Sequence, residues 1–123
     1  MQIITTSLAP AAIGPYSQGI IVGNLVYTSG QLGLDPATGE FASSTIEGQT
    51  RQSIANIEAI LKEAGTDLTR VVKTTCFLQN ISDFAAFNAE YESLFPGKPA
   101  RSCVEAAALP KGGLVEIEVI AER

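Results

Sequence analysis

Nine consecutive residues near the C-terminus, LVEIEVIAE at positions 114–122, alternate between two chemistries. Val115, Ile117, Val119 and Ala121 fall on one side, and Glu116, Glu118 and Glu122 fall on the other with Leu114 and Ile120. Successive side chains of an extended strand point to opposite faces. The segment therefore demands a sheet with one apolar face covered by other elements and one carboxylate-bearing face that those elements leave open.

The covering elements are legible as helices. In residues 46–64, Ile54, Ile57, Leu61 and Ala64 recur at three- and four-residue intervals, while Arg51, Glu58, Lys62 and Glu63 take other faces. Gly65 suits the position just past the helix end. A second helix is expected with Ser82 as N-cap and Asp83 in its first turn, ending at Pro96-Gly97. Its stripe of Phe84, Phe87, Tyr91, Leu94 and Phe95 reads as core packing rather than as a cofactor box.

Further strands complete the sheet. QGIIVGNLVYTSGQL, residues 18–32, holds two β-branched runs separated by Gly23-Asn24, which suits a tight hairpin. DPATGE, residues 35–40, is a turn. RVVKTTCFLQN predicts a buried strand over about 70–79, and ARSCVEAAAL is joined to the last strand by the turn-forming PKGG. Along ARSCVEAAAL, Arg101, Cys103 and Glu105 share one side, and Ser102, Val104 and Ala106 the other. The order is β-β-α-β-α-β-β, an α+β mixed sheet with both helices on one face. At 123 residues and 46% hydrophobic, the chain reads as one domain, 1–123. Because the first hairpin is rich in Ile, Val, Leu and Tyr, part of the uncovered face is too apolar for water and suggests a subunit interface.

Charge and composition narrow the function. Eight basic against 13 acidic residues give a net charge of −5, with no Lys/Arg run, which argues against nucleic acid and anionic membranes as partners. Cys76 and Cys103 lie 27 positions apart without CxxC spacing, and the chain has no histidine, so no zinc site is expected and both thiols should be free. MQIITTSLAP has no basic segment leading into a long apolar run, so a cytoplasmic protein is expected.

Several motifs in order, IGPYSQG, YTSGQLG, RQSIANIEAIL, VVKTTCFL, FNAEY, PARSCVE and ALPKGGLVEIEVIA, resemble the Rid family, also called YjgF or L-PSP proteins, over nearly the whole chain. The resemblance implies a chorismate-mutase-like fold and a homotrimer whose sheets form a central barrel, with sites in the clefts between subunits. It also implies 2-iminobutanoate/2-iminopropanoate deaminase activity on the reactive enamines and imines that pyridoxal-phosphate-dependent dehydratases release, with no cofactor.

Residue by residue, the resemblance makes Arg101 in PARSC the carboxylate-binding arginine. A planar guanidinium can hold a carboxylate through two parallel hydrogen bonds, and lysine cannot. Glu116 matches the glutamate that holds the attacking water, and Glu118 is its rival by pattern alone. Cys103 matches a pocket-lining cysteine, and with no histidine to deprotonate it a nucleophilic role is disfavoured. Tyr16, Ser29, Gly30 and Asn88 match the remaining substrate-binding positions. FPGKPARS is shorter than the corresponding loop of many family members and offers Lys98. Two other readings use the same cleft: a non-catalytic ligand-binding or chaperone-like trimer, and a ribonuclease or translation inhibitor, which the acidic charge and lack of histidine disfavour.

Overall fold

The computed structural model describes all residues 1–123. Its strands are β1 (Gln2–Ile4), β2 (Gly19–Val22), β3 (Leu25–Thr28), β4 (Gln31–Leu32), β5 (Val71–Leu78), β6 (Ala100–Glu105) and β7 (Val115–Glu122). Its helices are α1 (Ile46–Glu63) and α2 (Phe84–Leu94). One mixed sheet runs β1-β2-β3-β7-β5-β6, with β4 also paired to β7. Only β5 and β6 are parallel, and all other pairs are antiparallel. No helix is long and apolar enough to cross a membrane.

The alternation of the last strand explains its place at the centre. Val115, Ile117, Val119 and Ala121 are buried in the core with Ile54, Ile57, Ile60 and Leu61 of α1 and Phe87 and Tyr91 of α2. Helix α1 starts where the Thr45 hydroxyl accepts the Gly48 N–H at 3.1 Å, and it ends before Gly65, whose φ of 84° few side chains tolerate. Both helices cover one face, as the sequence requires.

Three buried polar residues of α1 pin the sheet beneath it. Ser53 Oγ donates to the Gln31 carbonyl at 2.7 Å, Asn56 donates to the Leu32 and Leu34 carbonyls, and Gln49 accepts from Leu114 N–H at 2.9 Å. Such buried groups are tolerable only because they are paired, and each pair fixes a position. Gly33 lets this contact close, since a Cβ there would lie 2.6 Å from the Gln49 carbonyl oxygen. The Gly30–Leu32 backbone is thereby held against β7.

Four local expectations are corrected. A first strand, Gln2–Ile4, pairs with β2; three residues are too few to carry a periodic signal. The expected second strand of the hairpin is interrupted at Ser29-Gly30, and Gln31-Leu32 form a separate strand against Glu116 and Ile117. Ser82 is not the cap of the second helix: Asn80 Oδ1 accepts from Ser82 N–H at 2.9 Å, opening a 3-10 turn over Ile81–Asp83 that leads into α2. Strand β6 ends at Glu105 rather than running to Leu109.

Candidate functional site

Glu116 lies on the open face of β7, opposite Phe77 of β5 and Leu32 of β4. Its side chain runs under Gly30, where a Cβ would sit 2.8 Å from the carboxyl carbon. Glycine is required there by proximity rather than by backbone angle. Burial raises the Glu116 carboxyl above its ordinary value, and the like charge of Glu118 adds to the rise. The exposed Glu118 has no such enclosure.

A cleft of about 330 Å³ opens over this carboxylate, lined among others by Ile13, Tyr16, Gly30, Gln31 and Lys111. Tyr16 rides on a loop organised by the buried Gln18 amide, which donates to the Pro10 carbonyl at 2.8 Å and to Thr6 at 3.0 Å. Ser29 belongs to the same scaffold: its hydroxyl donates to the Ser17 carbonyl at 2.5 Å, so it ties the Tyr16 loop to β3 and does not line the cleft.

Arg101 occupies a different place. In the parallel β5–β6 register it stands beside Thr74, and Cys103 stands beside Cys76; Thr74 and Cys76 are fully buried beneath the helices. Its guanidinium therefore points to the helix side at the sheet edge. There Nη1 donates to Asn88 Oδ1 at 2.6 Å, and Cζ lies 4.7 Å from the Tyr91 ring centroid and 5.4 Å from that of Phe84. No acid stands within ion-pair distance of Arg101; the chain's two salt bridges are Arg51–Glu90 and Lys62–Glu58. A second cleft of about 610 Å³ runs past Asn88, Tyr91, Glu92, Lys98 and Arg101.

Cys103 is half-buried on the Arg101 side and does not line that cleft. Burial pushes its thiol up, partly offset by the Arg101 charge, and burial pushes Cys76 up to about 12. Neither is a ready thiolate.

The expected site residues thus form two groups within one chain. Tyr16, Gly30 and Glu116 share the open-face cleft; Asn88 and Arg101 share the edge cleft; Ser29 braces the Tyr16 loop, and Cys103 packs against the core without lining either cleft. Arg101 and Glu116 face opposite sides of one sheet.

A family model described as Endoribonuclease L-PSP matches residues 6–123. The chain belongs to this family. A Lactococcus lactis relative named as a candidate regulator, AldR, is 58% identical over 123 residues, spanning 99% of this chain and 98% of the relative. The Capra hircus 2-iminobutanoate/2-iminopropanoate deaminase is 51% identical over 121 residues, 98% of this chain and 88% of that protein. The structure of Escherichia coli TdcF with bound serine superposes with a TM-score of 0.96 at 42% identity, covering 100% of this chain and 99% of that one. The names within the L-PSP family thus range over a nuclease, a regulator and a deaminase, and the fold is common to them.

Residues that the sequence pattern does not single out complete both clefts. Ile13 and Lys111 reach the Glu116 cleft from segments between strands, which carry no periodicity, and Gln31 reaches it from β4, too short to show any. Tyr91 and Phe84 reach Arg101 from a stripe that reads as core; the spacing of the stripe marks the helix but not that one ring face meets a guanidinium.

Proposed function

We propose that this chain is a cytoplasmic, homotrimeric 2-imino acid deaminase. Arg101 of one subunit and Glu116 of its neighbour build each site. The observation that carries the reading is the free guanidinium: Arg101 is cradled by an amide and two aromatic rings, with no acid to neutralise it. A cation so held is a receptor for an anion from outside, and its fork matches a carboxylate. The serine bound by the TdcF relative and the deaminase name of the Capra hircus relative supply the class, a small α-substituted carboxylic acid.

The opposite facing of the two groups supports a site shared between subunits. The uncovered sheet face exposes Val104 at 48% and Tyr27 at 42%, beside the half-buried Phe77 and Ile120. Apolar area of this kind is stabilised by covering it with a second copy, and a copy can bring its edge cleft to the Glu116 cleft.

The chemistry is hydrolysis. Arg101 holds the substrate carboxylate, and Glu116 accepts a proton from a water that adds to the iminium carbon, forming a carbinolamine. Return of that proton to the nitrogen makes ammonia the leaving group, and as the C–N bond breaks the carbinolamine hydroxyl gives its proton to Glu116, which passes it to solvent, leaving the 2-oxo acid. A raised carboxyl is a better proton acceptor near neutral pH than an ordinary one. No cofactor and no metal enter these steps.

A threonine dehydratase coupled to this protein tests the reading. Decay of 2-iminobutanoate should accelerate above its spontaneous rate, with no cleavage of RNA in a parallel digestion. Unchanged decay sinks the deaminase, and RNA cleavage that depends on Glu116 would put the nuclease in its place.

A further inference from the structure

The second helix carries a ladder of rings. Phe87 and Tyr91 lie 5.6 Å apart between centroids, and Tyr91 and Phe95 lie 4.6 Å apart. All three are buried, yet the middle one differs from its neighbours. One part of Tyr91 meets Arg101, with Cζ 4.7 Å from the ring centroid, and its hydroxyl stands 2.7 Å from Thr74 Oγ1 on β5. Thr74 is fully buried and is the register neighbour of Arg101 itself. Tyr91 is therefore clamped between the strand beside the arginine and the rings of its own helix.

We propose that Tyr91 is a positioning residue for Arg101: its ring is the platform on which the guanidinium lies, and its bond to Thr74 fixes that platform to the sheet. The inference rests on Arg101 being the carboxylate clamp. An arginine side chain has several rotatable bonds, and holding its fork in one plane costs rotamer entropy unless a surface supports it. A ring face supplies that surface and adds a cation–π attraction, which is stronger away from water. Asn88 fixes the rotation of the fork from the side, accepting at 2.6 Å from Nη1 and leaving the remaining N–H groups for a ligand. A phenol is neutral near neutral pH, and burial pushes that of Tyr91 further up, so the platform does not quench the cation. Phe84, more distant and more exposed, is the lesser support.

The test measures KM and kcat for 2-iminobutanoate and the Kd of 2-oxobutanoate in Tyr91→Leu, Tyr91→Phe, Thr74→Val and the Tyr91→Phe/Thr74→Val double variant. Arg101→Lys is the reference, and thermal unfolding is followed throughout. Tyr91→Leu should raise KM and Kd together, roughly 3- to 30-fold, with a smaller change in kcat. Tyr91→Phe and Thr74→Val should each raise KM about two- to fivefold, and the double variant should be no worse than either, because both remove one bond. A folded Tyr91→Leu with wild-type KM and Kd overturns the inference; should leucine unfold the chain, a Tyr91→Phe with wild-type KM does so. Arg101→Lys separates the two levels. If it binds 2-oxobutanoate as the wild type does, the carboxylate clamp is wrong; if it loses binding while the Tyr91 and Thr74 variants keep it, only the platform is wrong.

Discussion

The Glu116 cleft and the Arg101 cleft are built by opposite means. Glu116 sits mid-strand at the centre of the sheet, and a missing side chain fixes its place: Gly30 leaves the room that the carboxylate fills. Arg101 sits on the edge strand, and side chains that are present fix its place, with an amide on one side and rings beneath. The backbone surrounds the carboxylate, and side chains of α2 hold the guanidinium. Two groups that would neutralise each other on one face are kept on opposite faces of one sheet, so each keeps its charge for something outside the chain.

The hardest blow to the central cleft is Glu116→Gln. It keeps the shape beneath Gly30 and removes the proton acceptor, so kcat for imine hydrolysis should fall by about 10²- to 10⁴-fold while 2-oxobutanoate binding and the oligomeric state are unchanged. A glutamine variant with wild-type turnover would leave the central cleft without a catalytic role.

At the edge cleft, Arg101→Lys should cost on the order of 30- to 1000-fold in kcat/KM, corresponding to about 2–4 kcal/mol for a charge-assisted, two-point contact. Lysine keeps the charge but has neither the fork nor a plane to lie on Tyr91. The imine also decays unaided, and that background must be subtracted. A lysine variant near wild-type activity would make Arg101 a structural residue.

Mixing the two impaired variants tests whether the proposed trimer joins the clefts. When Arg101→Lys and Glu116→Gln chains are unfolded together and refolded at equal amounts, about a quarter of the interfaces should pair an intact Arg101 with an intact Glu116, since each is present with odds of one half. Recovery of roughly a quarter of wild-type activity is expected, against almost none from either variant alone. Failure to recover, with native mass spectrometry showing mixed trimers, would sink the site shared between subunits.

Much of this frame is legible in the sequence, and the remainder is hidden for physical reasons. The alternation of β7 and the stripe of α1 are local, and the helix forms over Ile46–Glu63 against the expected 46–64. Alternation also pairs Arg101 with Cys103 on one side of β6, as found, but it does not say which side. That depends on the register Cys76↔Cys103, set by a parallel neighbour 27 residues away. The break at Ser29-Gly30 is likewise non-local, because it answers to Glu116 and to the Asn56 and Ser53 staples on α1. Tyr91 is legible as core and is core; its second contact exists only once α2 lies beside β6.

The smallest effect concerns Glu118, which shares the face with Glu116 but not its enclosure. Glu116 must be ionised to act, so kcat/KM should rise with pH through its elevated pKa and vanish below it. Glu118→Gln removes the lesser cause of that elevation, so the acid limb should move to lower pH, while turnover on the plateau should stay within about threefold. Added salt should shift the wild-type limb the same way, because it screens the exposed Glu118 but leaves the burial of Glu116 untouched. Stability should follow with the sign fixed by linkage. The folded chain holds the Glu116 proton more tightly than the unfolded chain, so this group's stabilisation is full below the unfolded pKa and is lost as pH rises through the folded one. In Glu118→Gln less should be lost, and Tm should fall less between acid and neutral pH than in the wild type. A limb that stays in place in Glu118→Gln and in high salt would mean that burial alone tunes the carboxylate, and that the two glutamates of this strand, alike in sequence, do not interact.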